Sequence, residues 1–268
     1  MRDLPEGAAE RLESAGLVAL HESAPDELRS RLGLELMTIE GALVAIAAEE
    51  PSILFNRTIG LGMREPASEE GIRRICAAYR ERGVERYYLG VHPKARPDGI
   101  RRLLEDAGLR PQRGWMKFER GPEPAPKSDS SLQVRLIDAD HVDDFGRIAA
   151  AGFDLSTDAA ELFRGLSDHP AIRLYMTFDG PEPAGTGLVH IDGEHAWLDW
   201  AATDPTFRRR GSQRALLERR IDDAIDAGCT RLLTATGVAV PGDSQHSYHN
   251  IEWAGFEPAY VRENWGPD

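Results

Sequence analysis

RRRGSQRA, residues 208–215, is the stretch on which the reading of this chain turns. Three arginines run into a glycine between WLDWAAT (197–203), patterned as a strand, and ALLERRIDDAIDAG (215–228), patterned as a helix stopped by Gly228. A strand that passes through a basic, glycine-containing turn into a helix offers an anion unpaired backbone N–H groups and the positive end of the helix dipole. From Arg208 to Arg220 the chain carries six arginines against one acid, Glu218, so a positive island interrupts a chain of net charge −13. A small phosphorylated ligand suits such an island better than a polymer, although an arginine-rich solvated helix face has the same composition.

Composition bounds the rest. A length of 268 residues is long for one domain and comfortable for two, and 29% charged residues beside 41% hydrophobic ones describe a globular chain that needs no staples. No apolar run is long enough to cross a bilayer, and the charged N-terminal stretch 1–13 does not read as a signal peptide. The acidic balance argues against general nucleic-acid binding, which needs a basic excess to displace counterions. Cys76 and Cys229 stand far apart and outside any CxxC spacing, so neither a disulfide framework nor a zinc site is expected. His246 and His249 lack a third ligand at useful spacing, and no metal is expected there either. Together these features predict a cytoplasmic protein without membrane or nucleic-acid partners.

GPEPAPKSDSS, residues 121–131, holds three prolines and can be neither helix nor central strand, which places a linker at 123–131 between domains 1–122 and 132–268. Upstream, a helix is expected to end near Leu36. Strands follow at 37–50 and 53–61, with a turn at Glu40-Gly41. Ser68 caps a helix whose apolar positions are Ile72, Ile75, Cys76 and Tyr79 and whose stop is Gly83. A strand at 84–93, a short helix at 97–109 and a strand at 115–120 complete this half. Downstream, a strand at 132–137 and helices at 138–153 and 158–166 precede three strands joined by tight turns, the last being 195–203. The basic turn, the helix 212–227, a strand at 231–236, a helix at 246–255 and a strand at 259–265 follow.

With that order and the turn ATDPTFRRRGSQRALL (202–217) in place, the second half resembles the GNAT superfamily of acyl-CoA-dependent N-acyltransferases. The family turn Q/R-x-x-G-x-G/A follows the fourth strand and wraps the pyrophosphate of acetyl-CoA with its amides. Here Arg208, Arg209, Arg210, Gly211, Ser212 and Gln213 stand in it, Gln213 where a second small residue is usual. Pro205 and Phe207 fit the same motif, and Asn250 with Ala254-Gly255-Phe256 resembles the family's N…GF element. The first half repeats the order of elements from about Leu34 to Arg120, but IGLGMREPASEEG (59–71) carries Glu65, Glu69 and Glu70 where the basic turn belongs. The chain as a whole therefore resembles tandem-GNAT proteins with a degenerate N-terminal lobe. The implied fold is α/β, a mixed α+β arrangement of two lobes, each a mostly antiparallel sheet flanked by helices.

The resemblance implies acetyl-CoA as acyl donor and an amine as acceptor, attacked directly in a ternary complex. It also implies that the thioester meets the backbone of the fourth strand at Ala201, Ala202 and Thr203, where a bulge splays that strand from the fifth. Two alanines leave room for pantetheine, or are small because the core is tight. Asp199, a carboxylate within an apolar strand, is costly unless paired or used, and is the leading general base; a salt-bridged structural acid is the other reading. The family's acid position, four residues before Gly255, is Ile251, so Tyr248, one turn earlier, takes that place among the candidates. Glu194 and His195 contact an amine or cap a turn, and Gly185 and Gly187 mark a bulge or a close backbone approach. A non-catalytic acyl-CoA-binding sensor or scaffold is the rival function, motivated by Gln213 and Ile251. Either monomer or homodimer is compatible with the sequence.

Overall fold

In the computed structural model, which describes residues 7–268, the chain forms two compact units. The first comprises residues up to His21, Pro25–Met116 and Tyr260–Asp268; the second comprises Glu22–Ala24 and Lys117–Ala259. The chain changes unit inside two strands, at Met116/Lys117 and at Ala259/Tyr260, and not at residues 123–131. That proline-rich segment is tied down within the second unit. The Ser128 amide donates to Glu218 at 2.7 Å, Lys127 pairs with Glu218 at 3.1 Å and Asp222 at 3.3 Å, and the Ser130 hydroxyl donates to the Arg210 carbonyl at 2.7 Å.

The first unit opens with α1 (Ala8–Glu22), an element the sequence reading does not contain; the charged stretch 1–13 falls partly outside the described residues. Its periodicity is masked because Glu10 and Glu13 sit on the buried face. Both carboxylates have partners: Glu13 binds Arg57 and Arg262, and Glu10 accepts from the Tyr260 hydroxyl at 2.7 Å. After α2 (Asp26–Leu32), the hairpin of β1 (Leu34–Ile39) and β2 (Ala42–Ala47) turns on Glu40 and Gly41, both at positive φ, as a two-residue hairpin requires. β3 (Arg57–Leu61), α3 (Glu69–Glu81), β4 (Tyr88–Val91) and α4 (Ile100–Asp106) follow. Ser68 caps α3 through the Gly71 amide, and the expected apolar face, Ile72, Ile75, Cys76 and Tyr79, is buried. β5 (Arg110–Arg120) starts five residues before the strand expected at Trp115. The sheet order in this unit is β1-β2-β3-β4-β11-β5, with β11 (Glu257–Gly266) contributing its C-terminal part between β4 and β5.

The second unit carries β6 (Gln133–Leu136), α5 (Val142–Phe153), α6 (Thr157–Ala160), β7 (Ile172–Asp179), β8 (Glu182–Asp192), β9 (His195–Thr203), α7 (Ser212–Asp226), β10 (Arg231–Gly237) and α8 (His246–Trp253). The expected helix at 138 begins with a 3-10 turn capped by Asp138, and that at 158–166 is α6 followed by a 3-10 stretch. Order runs from the end of β5 through β10, β9, β8 and β7 to β6, with β9 and β10 parallel and β6 to β9 mutually antiparallel. Both units thus have mixed, mostly antiparallel sheets flanked by helices, the α/β class expected. Among the described residues no helix is long and apolar enough to cross a membrane.

Candidate active site

In the second unit the sheet opens where β9 and β10 part. Their parallel register runs from Arg231↔His195 to Thr234↔Leu198, while β9 continues to Thr203 and β10 to Gly237. Ala201, Ala202 and Thr203 on one side and Ala235, Thr236 and Gly237 on the other are half-buried, in contrast to the buried strand interiors before the split. The cause is a bulge. Against β8 the register steps from Leu188↔Asp199 to Thr186↔Ala202, so Trp200 and Ala201 together oppose Gly187. Trp200 holds φ 52, a left-handed conformation that a bulky residue adopts only where its surroundings impose it.

Those surroundings are specific. Asp199 Oδ1 accepts from the Trp200 amide at 2.8 Å and Oδ2 from the Trp197 indole N–H at 3.0 Å, while the Trp200 carbonyl accepts from the Thr186 hydroxyl at 3.1 Å. The Trp200 ring is edge-on to Phe153 and Phe163, at 5.2 and 5.0 Å between centroids. Ala202 packs against α5, where Gly152 is glycine because a Cβ on it would lie 2.6 Å from the Ala202 Cβ. From below, α7 sends in Arg220, 1% exposed, which donates to the carbonyls of Leu216, Leu188 and Asp199 at 3.0, 3.2 and 3.1 Å. Burial pulls the Arg220 guanidinium down to about 10. Gly187 is glycine because a Cβ there would meet that guanidinium at 2.8 Å, and Gly185 because one would meet the Ser212 hydroxyl. Both glycines mark close approach, as the sequence suggests.

The basic turn lies beyond the split. Asp204 accepts from the Thr206 amide, a 3-10 turn covers Pro205–Phe207, and Arg209 and Gly211 take positive φ of 64° and 79° before α7 begins. No side chain caps α7, so its opening amides stay available. The six arginines serve different ends. Arg208 and Arg209 are exposed. Arg210 forms a two-pronged bond to Asp179 at 2.6 and 2.9 Å, which holds that carboxyl below its usual range. Arg214 donates to Asn250 at 3.0 Å and stacks 4.9 Å over Trp253; Arg219 pairs with Asp223 at 2.8 Å; Arg220 is internal.

Gln213 and Asn250, read separately in the sequence, meet: the Asn250 amide donates to the Gln213 carbonyl oxygen at 2.8 Å. The side chain that departs from the motif thereby joins α7 to α8. Tyr248 is half-buried with its ring edge-on to Phe118 at 5.0 Å, and Ile251 is 4% exposed in the core. Glu194 belongs to a turn, its carbonyl accepting from the amides of Thr230 and Arg231. Among the described residues no group of three His, Cys, Asp or Glu side chains is placed to hold a metal ion. Sequence reasoning missed Thr186, Asp179 and Arg220 as parts of this site. Arg220 was counted in the basic island; only its i+4 spacing from Leu216, on the apolar stripe of α7, marks it as inward-facing.

Residues 139–256 match the family described as "Acetyltransferase (GNAT) family". Over nearly the whole chain the structure is similar to a GCN5-related N-acetyltransferase from Kribbella flavida, with TM-score 0.66 at 16% identity, covering 98% of this chain and 96% of that one. A GCN5-related N-acetyltransferase from Sphaerobacter thermophilus gives 0.60 at 16% identity, over 96% and 92% of the two chains. A tandem GNAT protein from the clavulanic acid biosynthesis pathway gives 0.59 at 14%, over 99% and 98%. No curated protein matches the sequence. The split strands, the uncapped basic turn and the match to the GNAT acetyltransferase family all fall within residues 139–256, so this part of the chain has the sequence and the fold of a GNAT domain.

Proposed function

We propose that the second unit transfers an acyl group, acetyl in the first instance, from acyl-CoA to the amine of a small molecule or peptide by direct attack in a ternary complex. The observation that carries the reading is the opening between β9 and β10 beside an uncapped, basic helix start. In this proposal the amides of Arg208–Gln213 hold the pyrophosphate. Pantetheine lies along Ala201–Thr203 as an added strand, and Asn250 keeps Gln213 and Arg214 at its side. Asp199 stands at the bulge and Tyr248 is the candidate to protonate the leaving thiolate. The acidic surface favours a cationic acceptor. One acyl-CoA per chain is proposed, because the first unit is closed at the corresponding places: β3 and β4 pair again beyond their own bulge, at Leu61↔Val91, and the start of α3 is filled by Glu40. Cytoplasmic location, as monomer or homodimer, belongs to the same proposal.

Calorimetric titration with acetyl-CoA, followed by a thiol-release screen over polyamines, aminoglycosides and peptide amines, tests this. One equivalent bound and release of free thiol with at least one amine is expected; no binding of acetyl-CoA sinks the reading. Ile251, buried where the family places its acid, favours a second reading, an acyl-CoA-binding sensor or scaffold. Tight binding without thiol release on any amine decides for it.

A further inference from the structure

The peptide unit joining Asp199 to Trp200 is gripped at both ends by side chains. Its carbonyl accepts from Arg220 and its N–H donates to the Asp199 carboxylate. The next peptide unit is gripped at its carbonyl by Thr186. These three bonds surround a residue at φ 52, and two consecutive peptide planes follow from them because each peptide is rigid. Each Asp199 oxygen accepts from an N–H donor, Oδ1 from the Trp200 amide and Oδ2 from the Trp197 indole, so the carboxylate is held in place at the bulge. A fully buried guanidinium whose hydrogen bonds go to three carbonyls is expensive to keep in a core. Its placement, rooted in the helix that opens at the basic turn and ending at the bulge, gives it a use.

We propose that Asp199, Thr186 and Arg220 are positioning residues: together they fix the bulge that holds β9 off β10 and aims its backbone at the acyl thioester, and Asp199 acts through that backbone. This rests on the acyl-CoA reading above. The test compares two probes by calorimetry on the full chain. Acetyl-CoA reaches the split; adenosine 3′-phosphate 5′-diphosphate carries the pyrophosphate without pantetheine and reaches only the turn. Thr186→Val and Asp199→Asn are expected to weaken acetyl-CoA about tenfold, the size of one lost buried hydrogen bond, and to leave the nucleotide within about twofold. Thr186→Ser, which keeps the hydroxyl, is expected to bind as wild type. Trp197→Phe removes one donor to Asp199 and carries the same expectation at about two- to threefold, should Thr186→Val not fold. Unchanged acetyl-CoA affinity in Asp199→Asn and Thr186→Val overturns the proposal. So does an equal loss for both probes. Failure of wild-type protein to bind either probe instead overturns the acyl-CoA reading itself.

Discussion

The two units solve the same junction differently. In each, an acid stands at the start of a two-residue hairpin turn, Glu40 as its first residue and Asp179 as the last residue of β7, and the strand after the hairpin runs through a turn into a helix. In the first unit the acid, Glu40, turns inward: its carboxylate accepts from the Ser68 amide at 2.9 Å and from the Ser68 hydroxyl, and Gly71 is glycine because a Cβ would overlap that carboxylate. In the second unit the acid, Asp179, is drawn aside by Arg210, and the start of α7 is left without a cap. One helix start faces a carboxylate of its own chain; the other has no side-chain cap. The strands repeat the contrast, since β3 and β4 rejoin after their bulge at Leu61↔Val91, whereas β9 and β10 do not pair beyond Leu198. A ligand site of this kind is therefore decided by whether the fold satisfies its own N–H groups.

The largest effect expected from breaking this comparison lies in the buried charges. Arg262 and Arg220 are each 1% exposed, but Arg262 is neutralised by Glu13 while Arg220 is held by carbonyls. Glu13→Gln removes the carboxylate that pairs with both Arg57 and Arg262 and is expected to cost about 3–5 kcal/mol in chemical denaturation, with hydrogen exchange placing the loss in the first unit.

His21, 1% exposed, has neither ring nitrogen hydrogen-bonded, and burial, with Arg29 and Arg57 nearby, pulls it down to about 4 from its usual 6.5. The unfolded chain takes up this proton near 6.5 and the folded chain does not. Its contribution to stability is therefore intact above that pH and falls as pH drops, by roughly 3 kcal/mol on reaching pH 4. Denaturation of His21→Phe against pH is expected to lack this component.

Next comes the turn itself. Arg210→Glu with Gly211→Glu places two carboxylates where the amides are open, making the second unit resemble the first. Acetyl-CoA affinity is expected to fall on the order of a hundredfold by calorimetry. Unchanged affinity removes the turn from the site.

The smallest effect is at the plug. Glu40→Ala is expected to destabilise the first unit by about 1–2 kcal/mol through a lost cap in urea unfolding. Glu40→Gly is expected to recover part of this because the residue sits at φ 47. In both, acetyl-CoA stoichiometry stays at one equivalent, since β3 and β4 remain paired; a second equivalent breaks the comparison.

Much of this was legible in local sequence. Ser68 with Glu69 and Glu70 behind it, the Glu40-Gly41 turn, the tight turns between the strands of the second half, and the helix stops at Gly83 and Gly228 obey short-range rules, and these elements lie where those rules put them. α1 was illegible because its buried face carries Glu10 and Glu13, whose partners Arg57, Tyr260 and Arg262 lie far away in the chain. The proline-rich segment 121–131 has the composition of a linker, and its anchoring comes from distant groups: Glu218 and Asp222 of α7 and the Arg210 carbonyl.

What the sequence alone determined is the order of elements after α1, the basic turn opening α7 and the resemblance these carry, because hydrophobic period, glycine placement and capping act within a few residues. Tertiary structure decided which arginines face solvent, why Gly185 and Gly187 lack side chains, and that Glu40 fills one helix start while Asp179 leaves the other open. Those outcomes depend on groups brought together across tens to hundreds of residues, and burial and hydrogen bonding between such groups are settled only when the sheet closes around them.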